Sequence, residues 1–147
     1  MKKRQALTLI EIMVVLFIIT IITSVVAVNM KGTMKEGKVF KSEKGSKQVY
    51  DIISLEMAKD PEVVQILMEE PETILKNSGL VADPKKTLQD GWGEKFQVRY
   101  CEEDGEIKVT SKKWIQHLKE KGLNREKILE QYPWIDPNEV QEDLYAH

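Results

Sequence analysis

The run from Ile12 to Val28, IMVVLFIITIITSVVAV, constrains this chain more than any other stretch, because it carries no charge at all. A basic head, Met1-Lys2-Lys3-Arg4-Gln5-Ala6, precedes it, and the next charge beyond it is Lys31. As an α-helix, Leu7 to Val28 would rise roughly 33 Å, enough to cross a bilayer. One residue resists that reading. Glu11 adjoins the run, and an ionised carboxylate near a membrane core costs on the order of 3 kcal/mol or more. A carboxylate placed there needs a partner.

Three simple readings fail to supply one. A secretory signal peptide cut after Val25-Val26-Ala27 would have an apolar core of only about 7–15 residues, and no acid in it. A plain membrane anchor explains the length but gives Glu11 no role. The core helix of a soluble protein would alternate polar and apolar faces, and this run does not.

The residues around Glu11 match a known pattern. Ala6-Leu7-Thr8-Leu9-Ile10-Glu11-Ile12-Met13-Val14-Val15 resembles the prepilin leader junction of type IV pilins and type II secretion pseudopilins. In that family a short basic leader ends in a small residue, and the mature chain opens on a hydrophobic residue followed by a T-L-I/L-E run. The resemblance implies that residues 1–6 are a leader, that a prepilin peptidase cuts between Ala6 and Leu7 on the cytoplasmic side, and that Leu7 becomes an N-methylated first residue. Glu11 would then pair with the Leu7 amine of a neighbouring subunit. Either charge alone is costly in lipid; together they also fix the axial stagger between subunits. The helix dipole further favours an acid near a helix start. Four positions depart from the family: Ala6 replaces the usual glycine, Leu7 the usual phenylalanine, Thr20 a common glycine and Val28 a common proline. Without that proline, which would kink the helix, a more continuous helix is expected from Thr8 into the soluble region.

Composition sets the rest of the frame. At 147 residues the chain has room for one soluble domain plus one span. Lys2, Lys3 and Arg4 contribute +3 to a net charge of −2, which leaves −5 for the remainder. A basic head favours the cytoplasmic side and puts the acidic body across the membrane. Beyond the span, bases and acids are interleaved, which argues against nucleic acid. Cys101 is the single cysteine, so no internal disulfide can form; burial and a link between chains both stay open.

Past the membrane, Lys31 to Ser46 is polar and basic and reads as continuing helix, with packing resumed from Val49 to Met57. Val49, Ile52, Ile53 and Met57 share a face there. Asp60-Pro61 reads as a cap opening a helix through Glu69, and Pro71 as the start of another ending near Gly79. Glu62, Glu69, Glu70 and Glu72 read as a solvated face. Asp90-Gly91-Trp92-Gly93 is a turn signature, with strands at Lys95–Tyr100 and Glu106–Thr110 around Asp104-Gly105. Trp92 is expected to anchor packing rather than stack on a ligand. Trp114, Ile115 and Leu118 form one amphipathic segment with Gly122 as its stop, and Ile128, Leu129 and Tyr132 another. Asp136-Pro137-Asn138-Glu139 reads as a capping box opening a last helix through Tyr145.

The Asn29-Met30-Lys31-Gly32 segment and the turn-plus-hairpin resemble the major, G-type pseudopilins, with Gly91 in place of the proline of their D-P-W-G turn. That resemblance stops at Ser111. The family's calcium-binding loop is replaced by the lysine-rich helical stretch Ser111–His147, so no metal and no cofactor is expected. Glu102, Glu103 and Asp104 on a hairpin tip read as solvated acids. His117 reads as a surface residue, and no catalytic constellation appears, so no enzyme activity is expected.

The expected fold is therefore α+β and pilin-like: a long N-terminal helix, membrane-spanning in its first half, packed on a small antiparallel sheet, with extra helices at the C-terminus. Residues 1–6 are leader, 7–30 the transmembrane and polymerisation helix, 31–110 a periplasmic domain with hairpin 95–110, and 111–147 a helical extension. The resemblance implies a single-pass inner-membrane subunit of a secretion pseudopilus. Its partners would be itself, other pseudopilins, the prepilin peptidase and the inner-membrane assembly platform. A type IV pilin and a non-polymerising anchored interaction domain are the rivals.

Overall fold

The computed structural model describes residues 8–141. They divide into two compact units, one ending at Glu36 and the other starting at Gly37, and each is described by itself.

The first unit is the start of α1 (Leu9–Lys59). Its helix is built almost wholly from apolar side chains, and the few hydroxyls are satisfied locally. Thr20 Oγ1 donates to Leu16 O at 2.8 Å, Thr23 Oγ1 to Ile19 O at 2.7 Å and Ser24 Oγ to Thr20 O at 2.8 Å. Bonding back to the i−4 carbonyl lets a hydroxyl sit in a water-free setting without an orphaned donor. The backbone is helical through Val28 and Asn29, as the absence of proline leads one to expect.

In the second unit, α1 buries one face. Val49, Ile52 and Ile53 are buried with Leu67, Ile74, Leu75, Phe96, Ile107 and Val109, and Met57 packs against them. Short helices α2 (Val63–Leu67), α3 (Pro71–Ser78) and α4 (Pro84–Thr87) follow. The helix expected from Pro61 to Glu69 is shorter than the sequence suggests. Asp60 Oδ1 accepts from Glu62 N two residues on, forming a turn, and helix begins only at Val63. α3 ends where expected, on Gly79 at φ 68°, a left-handed cap that favours glycine. α4 starts on an Asp83 cap and lies in a stretch that carries no marked periodicity.

The sheet is the antiparallel pair β1 (Gln97–Cys101) and β2 (Glu106–Thr110), in register from Gln97↔Thr110 to Cys101↔Glu106. Lys95, expected in the first strand, is not part of it. It bridges Gln89 instead, while Phe96 N donates to Leu88 O at 2.7 Å. The chain ahead of β1 thus closes on the Asp90–Glu94 turn rather than on β2.

That turn is the junction of the unit. Asp90 is buried, and its Oδ1 accepts from Trp92 N at 2.8 Å and Glu94 N at 2.9 Å while Oδ2 accepts from Ser111 Oγ at 2.6 Å. Gly91 N donates at 2.8 Å to Ser42 Oγ of α1, whose own hydroxyl donates to Lys38 O. A Cβ on Gly91 would overlap the Lys38 carbonyl. Glycine stands at 91 because the turn backbone rests directly on the helix backbone, which no side chain allows.

Ser111 also caps α5 (Lys112–Glu120) by accepting from Trp114 N, and α6 (Arg125–Gln131) is capped by Asn124. Their apolar faces form a second core of Trp114, Ile115, Leu118, Ile128, Ile135 and Val140, with Val39 and Trp92 packed against it. Trp92 is a packing residue, as expected. His117 is not a surface residue: it is buried, its ring 6.5 Å from that of Trp92, because it lies on the same face of α5 as Trp114 and Leu118. Gly122 ends the segment at φ 85°.

The C-terminal stretch then crosses the free edge of β2. Val109 N donates to Trp134 O at 2.8 Å, Asp136 N to Thr110 Oγ1 at 3.1 Å, and Trp134 Nε1 to Ser46 Oγ of α1 at 2.9 Å. Arg99 reaches both Asp136 and Glu139, and the buried Lys108 reaches Pro133 O, Asp104 and Glu106. The last helix expected from Pro137 is absent through Gln141, because residues 137–139 form a turn. Asp136 Oδ1 accepts from Asn138 N, and the buried Val140 turns the strap back into the core. The rest of that expected helix, to Tyr145, lies outside the described residues.

Gly91→Ala should destabilise the unit by about 1–3 kcal/mol, as forced overpacking does, read as a lowered Tm of the detergent-solubilised chain. An unchanged Tm would mean that the turn does not rest on α1. The Lys108 clamp makes a second, pH-dependent prediction. The Glu106 N–H and Lys108 hold Asp104 below its ordinary 3.8, so its contribution is complete above that value and lost as pH falls through the lowered folded pKa. Burial pulls the Lys108 ammonium down, but Asp104 and Glu106 outweigh it and hold it above 10.5; its contribution is lost as pH rises through that raised value. The stability gap between the native chain and Lys108→Met should therefore be flat from about pH 5 to 10 and shrink on both sides. Urea midpoints across that range test it.

Candidate assembly site

The residues expected to work together are Ala6, Leu7 and Glu11. Ala6 and Leu7 lie outside the described residues, so the expected cleavage point has no described geometry. Glu11 does. It stands in the first turn of α1, where Thr8 N donates to Glu11 Oε2 at 3.3 Å and Glu11 N donates to Thr8 Oγ1 at 3.4 Å. Ile12 N donates to Thr8 O at 3.3 Å. This is a reciprocal capping box, in which a hydroxyl at the cap and a carboxylate three residues on satisfy each other's backbone N–H.

Thr8 is therefore a member of the site that charge pairing alone does not reveal. Its signal is legible as Thr8-Leu9-Ile10-Glu11, a T-x-x-E spacing at the start of an apolar run. The box explains how Glu11 is tolerated at the head of an apolar run. One carboxylate oxygen is held by the Thr8 amide and by the positive end of the helix. A carboxylate has about four lone-pair positions across two oxygens, so the other oxygen stays available to a second donor such as an amine.

Beyond Glu11 the site is a surface of uncovered apolar side chains. The most apolar 18-residue window of α1 is 0% buried, and this is the one helix among the described residues long and apolar enough to cross a membrane. That excludes the soluble-core reading for the run. Covering each such side chain is worth about 1.5–3 kcal/mol, so water is not a tenable surrounding for Leu9 to Val26. Lipid or a bundle of like helices is.

The hairpin acids do not converge on a metal-ligand geometry. Glu102 and Glu103 are exposed and Asp104 is engaged by Lys108. Among the described residues no three His, Cys, Asp or Glu side chains come together. Cys101, at the end of β1, is half-buried.

Comparison with known proteins agrees with this N-terminal chemistry. Residues 1–27 match the prokaryotic N-terminal methylation motif. A protein of Chlamydia muridarum named "Putative outer membrane protein" is 39% identical over 112 residues, covering 76% of this chain and 90% of that protein. Proteins similarly named from Chlamydia trachomatis and Chlamydia pneumoniae are 37% and 35% identical over the same length. No solved structure matches. With a methylation-type N-terminus, a long apolar first helix and a small α+β body, this chain belongs to the family of those chlamydial proteins.

Proposed function

We propose that the chain is a pilin-like structural subunit, most like the major subunit of a type II secretion pseudopilus, and that it is a substrate of processing rather than an enzyme. The observation that carries this reading is Glu11, held in a capping box at the head of a helical run that is otherwise uncharged through Val28. Cleavage between Ala6 and Leu7 creates an amine one helical turn before the acid, and N-methylation of Leu7 follows. In the membrane the capped Glu11 is stored. In a filament its free oxygen takes the Leu7 amine of the neighbouring copy, which neutralises both charges in an apolar bundle.

The soluble unit then faces the periplasm and the helix waits in the inner membrane until the secretion platform extracts it. The relatives' name speaks of the outer membrane. Proteins that span that membrane are closed barrels of about eight or more strands, each of about 9–11 residues. The described residues hold two strands of five residues. The helix is the element suited to lipid, and a filament built from it would bring the soluble unit towards the outer membrane without spanning it.

N-terminal sequencing of the membrane-fraction protein should begin at Leu7, with the mass of one added methyl group. An intact Met1, or a start at Val28 left by cleavage after Ala27, would refute the prepilin reading. Glu11→Val should still insert and be cleaved, yet yield at least about tenfold fewer neighbour cross-links, since an uncompensated amine in lipid costs well over about 1.4 kcal/mol. Normal cross-linking of that variant would mean the acid is not the pairing group.

A further inference from the structure

The soluble unit separates its charges in a way that a filament subunit does not by itself require. Residues 37–47 hold four lysines and one acid, whereas residues 48–147 carry −8. Within the unit, the outward face of α1 presents Phe40, Lys41, Lys44 and Gln48, all exposed, opposite the buried Ser42, Ser46 and Val49. Phe40 is 63% exposed, and Lys44 Nζ lies 5.9 Å from its ring centroid. Among the described residues no acid pairs with Lys41 or Lys44.

The matching surface is the hairpin tip. Glu102 and Glu103 project from the turn between β1 and β2, both exposed, and among the described residues no base pairs with either. Asp104, the other acid of that turn, and Glu106 at the start of β2 are engaged by Lys108. Phe96, just ahead of β1, packs beside Gly45 near the lysines, and β1 contacts α2, which follows the far end of α1. Among the described residues no ion pair joins the two surfaces within one copy.

We infer that the Glu102–Glu103 hairpin tip of one copy docks on the Lys41–Lys44 face of α1 in the next copy. The inference rests on the filament reading and assigns its contact between soluble units. A contact between two different patches is heterologous, and repeating it generates an open helical array rather than a closed dimer. Charge complementarity also sets register and disfavours like-charged juxtapositions. The exposed Phe40 ring supplies apolar area beside the ion pairs. An anionic bilayer surface is the weaker occupant. Lys41 lies more than about three helical turns past Val28, whereas surface charge is screened over about 8 Å at physiological salt, and the acidic remainder of the unit would be repelled.

The test uses full-length chains in membranes, a light and a heavy isotopic form co-expressed, with zero-length amine–carboxyl cross-linking. Mixed light–heavy peptides joining Lys41 or Lys44 to Glu102 or Glu103 are expected. Charge reversal by K41E/K44E, or by E102K/E103K, should lower neighbour cross-linking by about fivefold or more, and the fourfold combination should restore it. Restoration also shows that the variants fold. Assembly unaffected by either reversal, or not restored by the combination, overturns the contact while leaving the filament reading standing. Native chains that never cross-link overturn both. Loss of K41E/K44E binding to phosphatidylglycerol vesicles, with chain-to-chain links unchanged, assigns the lysine face to lipid and overturns the contact.

Discussion

The soluble unit depends on a contact with no side chain in it: the Gly91 backbone resting on the Lys38 backbone of α1. Ser42 takes the Gly91 N–H and the buried Asp90 accepts from the Trp92 and Glu94 amides, so the turn is fixed to the helix at one end and to Ser111 at the other. Ser111 in turn starts α5. The buried carboxylate and the neighbouring Gly91 amide therefore together join α1, the approach to β1 and the C-terminal extension. Buried polar networks of this kind are stable only when fully satisfied, and both Asp90 oxygens have donors here.

The extension resolves a problem that a two-stranded sheet always has. A free strand edge is a row of unpaired amides and carbonyls and invites pairing with another chain. Trp134 and Asp136 cover the β2 edge, and Trp134 is itself pinned to Ser46 of α1. The strap is held by Arg99, Lys108 and a set of packed aromatic rings. Tyr132 stands edge-on to both Trp114 and Trp134, with centroids 4.8 and 5.6 Å apart. Order at this end comes from hydrogen bonds, ion pairs and rings.

The apolar first unit follows a different logic. Its hydroxyls bond back to its own helix and its acid is capped by its own first turn. These polar groups are partnered within the segment, as a helix stored in lipid requires. Its uncovered apolar surface suits it to lipid or to like helices.

The amino-acid sequence by itself determined those features that depend on local order. They include the apolar run and its acid, the hairpin around Asp104-Gly105, the Gly79 and Gly122 stops, and the buried face Val49, Ile52, Ile53. Periodicity and turn chemistry act over a few residues and are legible there. Even the Thr8–Glu11 box is legible in its spacing. Tertiary structure decided what depends on meetings across long separations. His117 is buried because α5 turns that face to the second core. Lys95 leaves the first strand because Leu88 and Gln89 capture the chain first. The helix expected after Pro137 gives way because Asp136 is drawn to Thr110 and Arg99, both far back in the sequence. Gly91 is glycine because of Lys38, which no local pattern reveals. A local rule cannot foresee a partner that only folding brings into contact.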